Sequence, residues 1–417
     1  MSPESGRMTG TLIEEARAIK DALLEVQYEV REVADETELR LSADIRERLG
    51  YTEAPAVITD DLIDTRIQSS TLVITPRALA NVLPLSVKSS ETVRDSRKRI
   101  AEIMFADDGR LVVVAGPCSI HDPEVALEYA AWIKEKRAQY GEDLEIVMRA
   151  YMEKPRTELG WKGLVYDPDL DDSNDINLGL VMERMLVCQI TNMGVPIAME
   201  RLNANTPQYV NGMVSNDTIG ARNTTDQKAR EYASGTSSPV GFKNTPEGSV
   251  EAAVSAVVSA NAPHTFHGMD MSGMPMQVTT TGNDMAYVIL RGDQQGPNYS
   301  GEQITRTRES LRARGLSETI MIDASHGNSR KDYRKQLEVI EDVGRQISLG
   351  ELSIRGVMIE SNLVEGNQKL EDVADLAELE YGKSITDACV GLAETNTMFS
   401  LLAKAVRARR QFILEQK

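Results

Sequence analysis

The sequence is poor in the features that mark secreted, membrane-spanning and nucleic-acid-binding proteins. It has only three cysteines in 417 residues, too few for a disulfide framework, so we expect a reducing, cytoplasmic environment. No apolar run approaches the ~18 residues that a membrane span needs, and the N-terminal stretch MSPESGRMTG lacks the basic and apolar parts of an export signal. The formal net charge of -18 argues against a cationic face for nucleic acid or an acidic membrane. We therefore expect neither partner.

The first quarter of the chain differs from the rest. Residues 11–50 carry apolar residues at i, i+3 and i+4 spacing without proline, which predicts an N-terminal helical extension over 1–60. Prolines then interrupt short apolar pieces, and this pattern predicts a connecting arm and helix over 61–110. We interpret the extension as a subunit-contact arm, which makes a homo-oligomer, a dimer or a tetramer, the expected assembly.

From residue 111 to 417 the pattern predicts a (β/α)8 TIM barrel. Short apolar runs alternate with helical stretches, which is typical of parallel strands buried on both faces. The eight runs are LVVVA (111–115), EIVMR (145–149), PIAME (196–200), TIGAR (218–222), PVGFK (239–243), YVILR (287–291), TIMID (319–323) and GVMIE (356–360). Eight such units favour a closed barrel, with an open doubly wound sheet as the alternative. Residues 264–282, HTFHGMDMSGMPMQVTTTG, break the rhythm and predict a β-hairpin inserted before the sixth barrel strand.

The residues at or just after the ends of these runs carry most of the chemistry. They are Cys118, Arg149, Glu200, Arg222, Lys243, Arg291, His326 and Glu360, followed by Asp387 in a later loop. In a barrel these ends gather at the catalytic face. Cations packed at one barrel mouth repel each other unless an anion binds there, so we expect substrates with several negative charges.

The loop after the second run adds further cations. It reads RAYMEKPRTELGWKG and contains Lys154, Arg156, Thr157 and Lys162. Pro155 stiffens the backbone between the first two cations, so that both can point toward one anion. In an acidic protein, such a loop beside the strand-end cations indicates an anion site.

A second group of residues is suited to a metal ion. Cys118, His326, Glu360 and Asp387 offer a thiolate, an imidazole and two carboxylates, a mixed set that fits Zn, Mn, Fe or Co better than Mg or Ca. They lie far apart along the chain, so only a closed barrel would bring them together. The structural alternatives are a polar core role for His326 and a counter-ion role for Glu360.

Eight blocks of the sequence resemble the microbial type I 3-deoxy-D-arabino-heptulosonate-7-phosphate (DAHP) synthases over about residues 65–410. The blocks are AGPCSIHDP, KPRTELGWKGL, IGAR, SPVGFKN, ILRG, IDASHGNS, GVMIESNLVEGNQ and YGKSITDAC. The resemblance implies a (β/α)8 barrel and a metal-dependent transferase. Such an enzyme condenses phosphoenolpyruvate with erythrose 4-phosphate in the first step of the shikimate pathway of aromatic amino acid biosynthesis.

The resemblance also implies roles for particular residues. The divalent-metal ligands would be Cys118, His326, Glu360 and Asp387. The phosphoenolpyruvate site would comprise Arg149, Lys154, Glu200, Arg222, Lys243 and Arg291. The erythrose 4-phosphate site would comprise Lys154, Pro155, Arg156, Thr157 and Asp387. The catalytic residues would be Lys154, His326 and Cys118; Lys154 is a candidate proton donor to the developing alkoxide, with His326 or a metal-bound water as alternatives.

Three departures from the family pattern concern regulation more than catalysis. MERLN (199–203) stands where GEFLD is usual, GMDMSGMPM replaces a more polar hairpin segment, and TTTGNDMAY differs from the usual SGNGD. In the family an aromatic amino acid inhibitor binds around this hairpin, so an effector is expected but its identity is not. Two other functions remain as alternatives: the same chemistry on a different phosphorylated aldehyde, and a catalytically silent barrel that binds a partner protein. The intact KPRT and the full ligand set favour the standard reaction.

Overall fold

The computed structural model describes residues 11–27, 62–203 and 205–416. Helix α1 spans residues 11–27, while the remainder of the predicted helical extension, 1–10 and 28–60, lies outside the described residues. Two more helices precede the barrel, α2 (Pro76–Val82) and α3 (Val87–Phe105). Hydroxyl oxygens cap both, since Thr75 accepts from the Ala78 N–H and Ser86 from the Ser89 N–H.

The strands form a closed parallel barrel and a separate hairpin. In chain order they are β1 (Leu111–Gly116), β2 (Leu144–Arg149), β3 (Ile197–Arg201), β4 (Asn216–Ile219), β5 (Val240–Lys243), β6 (Thr265–Met269), β7 (Pro275–Thr279), β8 (Ala286–Leu290), β9 (Ile320–Asp323) and β10 (Ile354–Glu360). The barrel order is β1-β10-β9-β8-β5-β4-β3-β2, and β1 also pairs with β2. The closed ring confirms the predicted TIM barrel and excludes the open sheet.

Helices surround the barrel as the alternating pattern predicts. They are α4 (Pro123–Tyr140), α5 (Ile176–Asn192), α6 (Gln227–Gly235), α7 (Val250–Asn261), α8 (Gly301–Ala313), α9 (Gln336–Ser348) and α10 (Leu392–Glu415). Asp122 caps α4 by accepting from the N–H groups of Glu124 and Val125, with Pro123 at the first helical position. None of the helices in the described ranges combines the length and apolar character needed to cross a membrane.

The predicted hairpin is present and lies outside the barrel wall. β6 and β7 pair antiparallel between α7 and β8, which is the sixth barrel strand. The turn between them reaches α2, where the Arg77 N–H donates to the Met271 carbonyl at 2.6 Å. Gln208, in a short 3-10 helix, donates to the Met269 carbonyl at 3.3 Å. The hairpin is therefore held by the arm and by the connection after β3.

The fourth strand begins and ends earlier than the sequence predicted. The apolar pattern indicated residues 218–222, whereas β4 is Asn216–Ile219 and Arg222 lies in the turn beyond it. The prediction was wrong because the strand contains buried polar residues with partners on other elements. Asn216 accepts from the Tyr287 hydroxyl at 2.9 Å, and Asp217 is paired with Arg201.

Candidate active site

Cys118, Lys154 and Asp387 meet at the C-terminal mouth of the barrel. The Lys154 Nζ lies 2.7 Å from the Cys118 Sγ and 3.2 Å from the Asp387 Oδ2. Burial, reinforced by the charge of Glu360, raises the pKa of the Cys118 thiol to about 12. The Lys154 ammonium holds the pKa of the Asp387 carboxyl well below its usual range. A lysine cation is thus placed between a thiol and an ionised carboxylate.

Glu360 and Arg149 form a buried ion pair beside these groups. The Arg149 Nη2 donates to the Glu360 Oε1 at 3.0 Å, and both side chains are only 2% exposed. The same guanidinium donates to the carbonyls of Pro117 and Cys118, and it stacks 3.6 Å from the centroid of the Tyr151 ring. These contacts fix the guanidinium at the end of β2, adjacent to the loop that follows β1.

His326 is oriented by groups at the end of β9 and in the loop that follows it. Its Nδ1 lies 2.8 Å from the Ser325 hydroxyl and 3.0 Å from the Asp323 Oδ2, while its Nε2 faces Glu360, 3.8 Å from Oε1. Its backbone has a φ of 57°, an uncommon conformation for a residue with a side chain. Asp323 also pairs with the Lys243 Nζ at 3.0 Å, so one buried carboxylate holds both an imidazole and an ammonium group.

The donor atoms fit a divalent transition metal. The ligand atoms of Cys118, Glu360 and Asp387 all lie within 4.8 Å of one another. A thiol and two carboxylates are a suitable mixed set, and the Nε2 of His326 stands at the edge of this group beside Glu360. Metal-ligating histidines usually donate their other ring nitrogen to a carboxylate, the arrangement that Asp323 and His326 adopt.

The other residues implicated by the sequence line the same mouth at varying depth. Arg222 is exposed and donates to the Thr157 hydroxyl at 2.6 Å. This bond links the turn after β4 to the loop that carries KPRT (154–157), called the KPRT loop below. Glu200 lies against Gly220, where an added Cβ would stand 2.6 Å from its Oε1. Arg291 is half-buried, and its backbone N–H donates to Asn244 at 2.8 Å.

The KPRT loop itself is more open than the strand ends. Pro155 is half-buried, whereas Arg156 and Thr157 are exposed. The Arg156 guanidinium lies over Gly160, whose φ is 130° and where a Cβ would stand only 2.7 Å from Nη2. A residue with a side chain at position 160 would displace the guanidinium.

Sequence reasoning missed two residues that orient the site. Asp323 lies within IDASHGNS, but its link to Lys243 has no local signal. Gln336 at the start of α9 was also missed. Its side-chain amide exchanges two hydrogen bonds with the backbone of Glu360, at 2.9 and 3.0 Å. The only sequence clue to Asp323 is its i, i+3 spacing from His326.

Comparison with known proteins agrees with the geometry. The model of the DAHP synthetase I family matches residues 83–400. The Phe-sensitive phospho-2-dehydro-3-deoxyheptonate aldolase of Escherichia coli (strain K12) is 47% identical over 347 residues, which cover 83% of this chain and 98% of the relative. The Tyr-sensitive enzyme of the same strain is 45% identical over 339 residues, covering 81% and 94% of the two chains.

A solved structure shares the fold as well as the sequence. The phospho-2-dehydro-3-deoxyheptonate aldolase from Francisella tularensis SCHU S4 superimposes with a TM-score of 0.80 and is 46% identical. The match covers 82% of this chain and 99% of that chain. Sequence, fold and the residues at the barrel mouth agree, and the chain belongs to the DAHP synthetase I family.

Proposed function

We propose that this enzyme condenses phosphoenolpyruvate with erythrose 4-phosphate to form DAHP, the first step of the shikimate pathway. One observation carries the proposal: the Lys154 Nζ contacts both the Cys118 Sγ and the Asp387 Oδ2 at the mouth of the barrel. This places a proton donor within the group of metal-ligand atoms and beside buried cations. A barrel with a purely structural role would have no reason to place a thiol, an ammonium and a carboxylate together at its mouth.

The phosphoenolpyruvate site is assigned to residues on or close to the strand ends. These are Arg149, Lys154, Glu200, Arg222, Lys243 and Arg291. Arg149 and Lys243 are fixed by buried ion pairs with Glu360 and Asp323. Held in this way, they present oriented donors to a carboxylate and a phosphate without further rearrangement.

The erythrose 4-phosphate site is assigned to the KPRT loop and its neighbour across the mouth. Lys154, Pro155, Arg156, Thr157 and Asp387 form this group. The exposed guanidinium of Arg156 and the hydroxyl of Thr157 suit the phosphate of the aldehyde, while Lys154 lies deeper, nearer the thiol. The reacting carbonyl would then face Lys154 and Asp387.

In the reaction, C3 of phosphoenolpyruvate forms a bond to the aldehyde carbon, and the former carbonyl oxygen takes up a proton. C2 is captured by water and phosphate leaves. We assign the proton transfer to Lys154, with Cys118 and His326 as the other catalytic residues. A divalent cation, Mn, Fe, Co or Zn, held by Cys118, His326, Glu360 and Asp387 would polarise the aldehyde.

The proposal also covers the regulation of the enzyme, its assembly and its location in the cell. One relative is named Phe-sensitive and another Tyr-sensitive, so we infer an aromatic amino acid effector acting at the hairpin. We assign catalysis to the barrel, 111–417, with the extension (1–60) and the arm and helix (61–110) as accessory segments. We further propose that the enzyme is a homo-oligomer and that it is cytoplasmic.

One assay tests substrate, metal and effector together. Phosphoenolpyruvate consumption is followed with erythrose 4-phosphate and with other aldose phosphates, with and without a chelator, and then with each aromatic amino acid. We expect turnover with erythrose 4-phosphate that the chelator abolishes. Preference for another aldose phosphate would assign the same chemistry to a different substrate, and no turnover with any aldehyde would support a silent barrel.

A further inference from the structure

Helix α1 lies outside the part of the chain that the family model matches, which begins at residue 83. One face of α1 is apolar, with Ala16 fully buried and Leu12, Ile19 and Leu23 packed against the barrel core. Leu12 also lines an apolar hollow together with residues of α5 and the start of α4. The helix is therefore docked on the barrel through an apolar contact of its own.

Two cations of α1 reach the same connection, the segment 150–175 that joins β2 to α5. The Arg17 Nη2 lies 2.6 Å from the Asp169 Oδ2, and the Lys20 Nζ lies 3.0 Å from the Asp175 Oδ2. Asp175 also caps α5 by accepting from the Leu178 N–H at 3.0 Å. The two ion pairs of α1 therefore hold this connection at Asp169 and at Asp175, and Asp175 is also the N-cap of α5.

The segment between these two points is strained. Leu170, Asp172 and Asn174 have φ values of 60°, 61° and 54°, although none of them is glycine. This conformation costs about 1 kcal/mol or more for Leu170 and less for Asp172 and Asn174, whose short polar side chains tolerate it better. The ion pairs to Asp169 and Asp175 lie immediately on either side of the strained turn.

Hydrogen bonds connect the stretch just before the strained turn to the KPRT loop. The Trp161 Nε1 donates to the Asp167 carbonyl at 2.8 Å, and the Lys154 N–H donates to the Lys162 carbonyl at 2.8 Å. Between these ties Arg156 and Thr157 are exposed. Two hydrogen bonds thus connect the stretch just before the strained turn with the loop residues proposed to hold the aldehyde phosphate.

We propose that α1 is a clamp that positions the KPRT loop for erythrose 4-phosphate, with Arg17 and Lys20 as positioning residues. This inference rests on the proposed function of that loop. Phosphoenolpyruvate is affected less, because Arg149 and Lys243 are fixed by ion pairs within the barrel. Loss of the two ion pairs should therefore raise the KM for erythrose 4-phosphate and leave the KM for phosphoenolpyruvate nearly unchanged.

The test uses the full-length metal-loaded enzyme carrying R17Q and K20Q together. We expect the KM for erythrose 4-phosphate to rise about fivefold, while kcat and the KM for phosphoenolpyruvate stay within about twofold of wild type. A second readout is independent of turnover: trypsin should cleave after Arg156 and Lys162 faster in the variant. The control E14Q/E15Q changes two exposed charges on the same helix and should leave both readouts unchanged.

The charge-swapped pair R17D/D169R separates the contact from general electrostatics. It restores one ion pair with the signs exchanged, so we expect protection of the loop to return toward the wild-type level. An unchanged cleavage rate in R17Q/K20Q, or an equal rise in both KM values, would overturn the clamp. Absence of turnover with erythrose 4-phosphate in the wild-type enzyme would instead overturn the proposed function. The comparison of tryptic cleavage rates between wild type and R17Q/K20Q would then be the remaining test of the clamp.

Discussion

At the scale of single residues, Lys154 occupies the position on which the proposed chemistry most depends. Its ammonium contacts a thiol and a carboxylate, so K154Q removes both the proton donor and the positive charge between them. We expect kcat to fall by about 10²–10⁴-fold, measured by phosphoenolpyruvate consumption. The matched control is K162Q on the same loop, whose exposed lysine lies beside Tyr166 and should matter far less. A K154Q enzyme with near-normal kcat would assign proton donation elsewhere.

A pair of buried carboxyl groups behind the KPRT loop gives a prediction about stability. Burial, reinforced by the charge of Glu153, raises the pKa of Glu183 to about 8, and burial, reinforced by the charge of Glu200, raises the pKa of Glu153 to about 7. Within the described part of the chain, the Glu183 Oε2 has no hydrogen-bond partner, whereas Asn203 donates to the Glu153 Oε1 at 2.8 Å. Both acids therefore favour the protonated form in the folded state.

The sign of the pH effect follows from proton binding. Between about pH 4.5 and 8 the folded protein retains a proton on Glu183 that the unfolded chain has lost, so stability falls as the pH rises through this range. E183Q imitates the neutral form and should stabilise the protein by on the order of 3 kcal/mol at pH 8, with almost no effect at pH 5. Denaturant unfolding at both pH values, with the exposed E309Q as control, measures the difference. Equal effects at both pH values would contradict the shifted pKa.

The sequence predicts which residue types gather at the mouth, but not which atoms face each other. Lys243 and Arg149 could be predicted as strand-end cations because a barrel collects strand ends. A counter-ion role for Glu360 could also be expected, but its pairing with Arg149 and that of Lys243 with Asp323 could not, because both depend on the stagger of neighbouring strands and on side-chain direction. The orientation of His326 by Asp323 is hidden for the same reason.

At the scale of elements, the sequence predicts best where burial is uniform. Seven barrel strands are close to their predicted positions because parallel strands buried on both faces read as apolar runs. The fourth differs because Asn216 and Asp217 are buried with polar partners. α2 lies in the predicted arm. The sequence shows its start signals, a capping Thr75 followed by Pro76, but a helix of only seven residues is too short for its apolar periodicity to be recognised.

The C-terminal helix α10 supplies a prediction at the same scale. Arg409 is buried and donates to carbonyls at the start of β1 and of β10, among them those of Arg110 and Ile354. R409A removes a donor from each of these carbonyls and leaves a cavity, and should lower the free energy of unfolding by about 2–4 kcal/mol. Thermal unfolding measures the loss, and the exposed K404A on the same helix is the control. Turnover per folded molecule should be unchanged, since the helix end lies far from the mouth.

At the scale of the whole molecule, a metal would join distant parts of the barrel. Cys118 follows β1, Glu360 ends β10, and Asp387 belongs to the loop before α10. A cation bound to the folded state alone stabilises it by about 2.7 kcal/mol at a hundredfold excess over Kd. We therefore expect chelation to lower Tm and abolish turnover while leaving the circular dichroism of the folded protein unchanged. C118S should show no metal-dependent shift in Tm, and a full shift in that variant would place the cation elsewhere.

The pairing of β1 with β10 sets the order of events during protein synthesis. Cys118 and Asp387 are separated by 269 residues, and the sheet closes only when its last strand joins its first. A nascent chain that has emerged only as far as β9 has two open strand edges and an incomplete set of donor atoms. We therefore expect a metal held by the proposed ligands to bind only after ribosomal translation of the last quarter of the polypeptide, and we expect prematurely terminated products to aggregate and not to become weakly active enzymes.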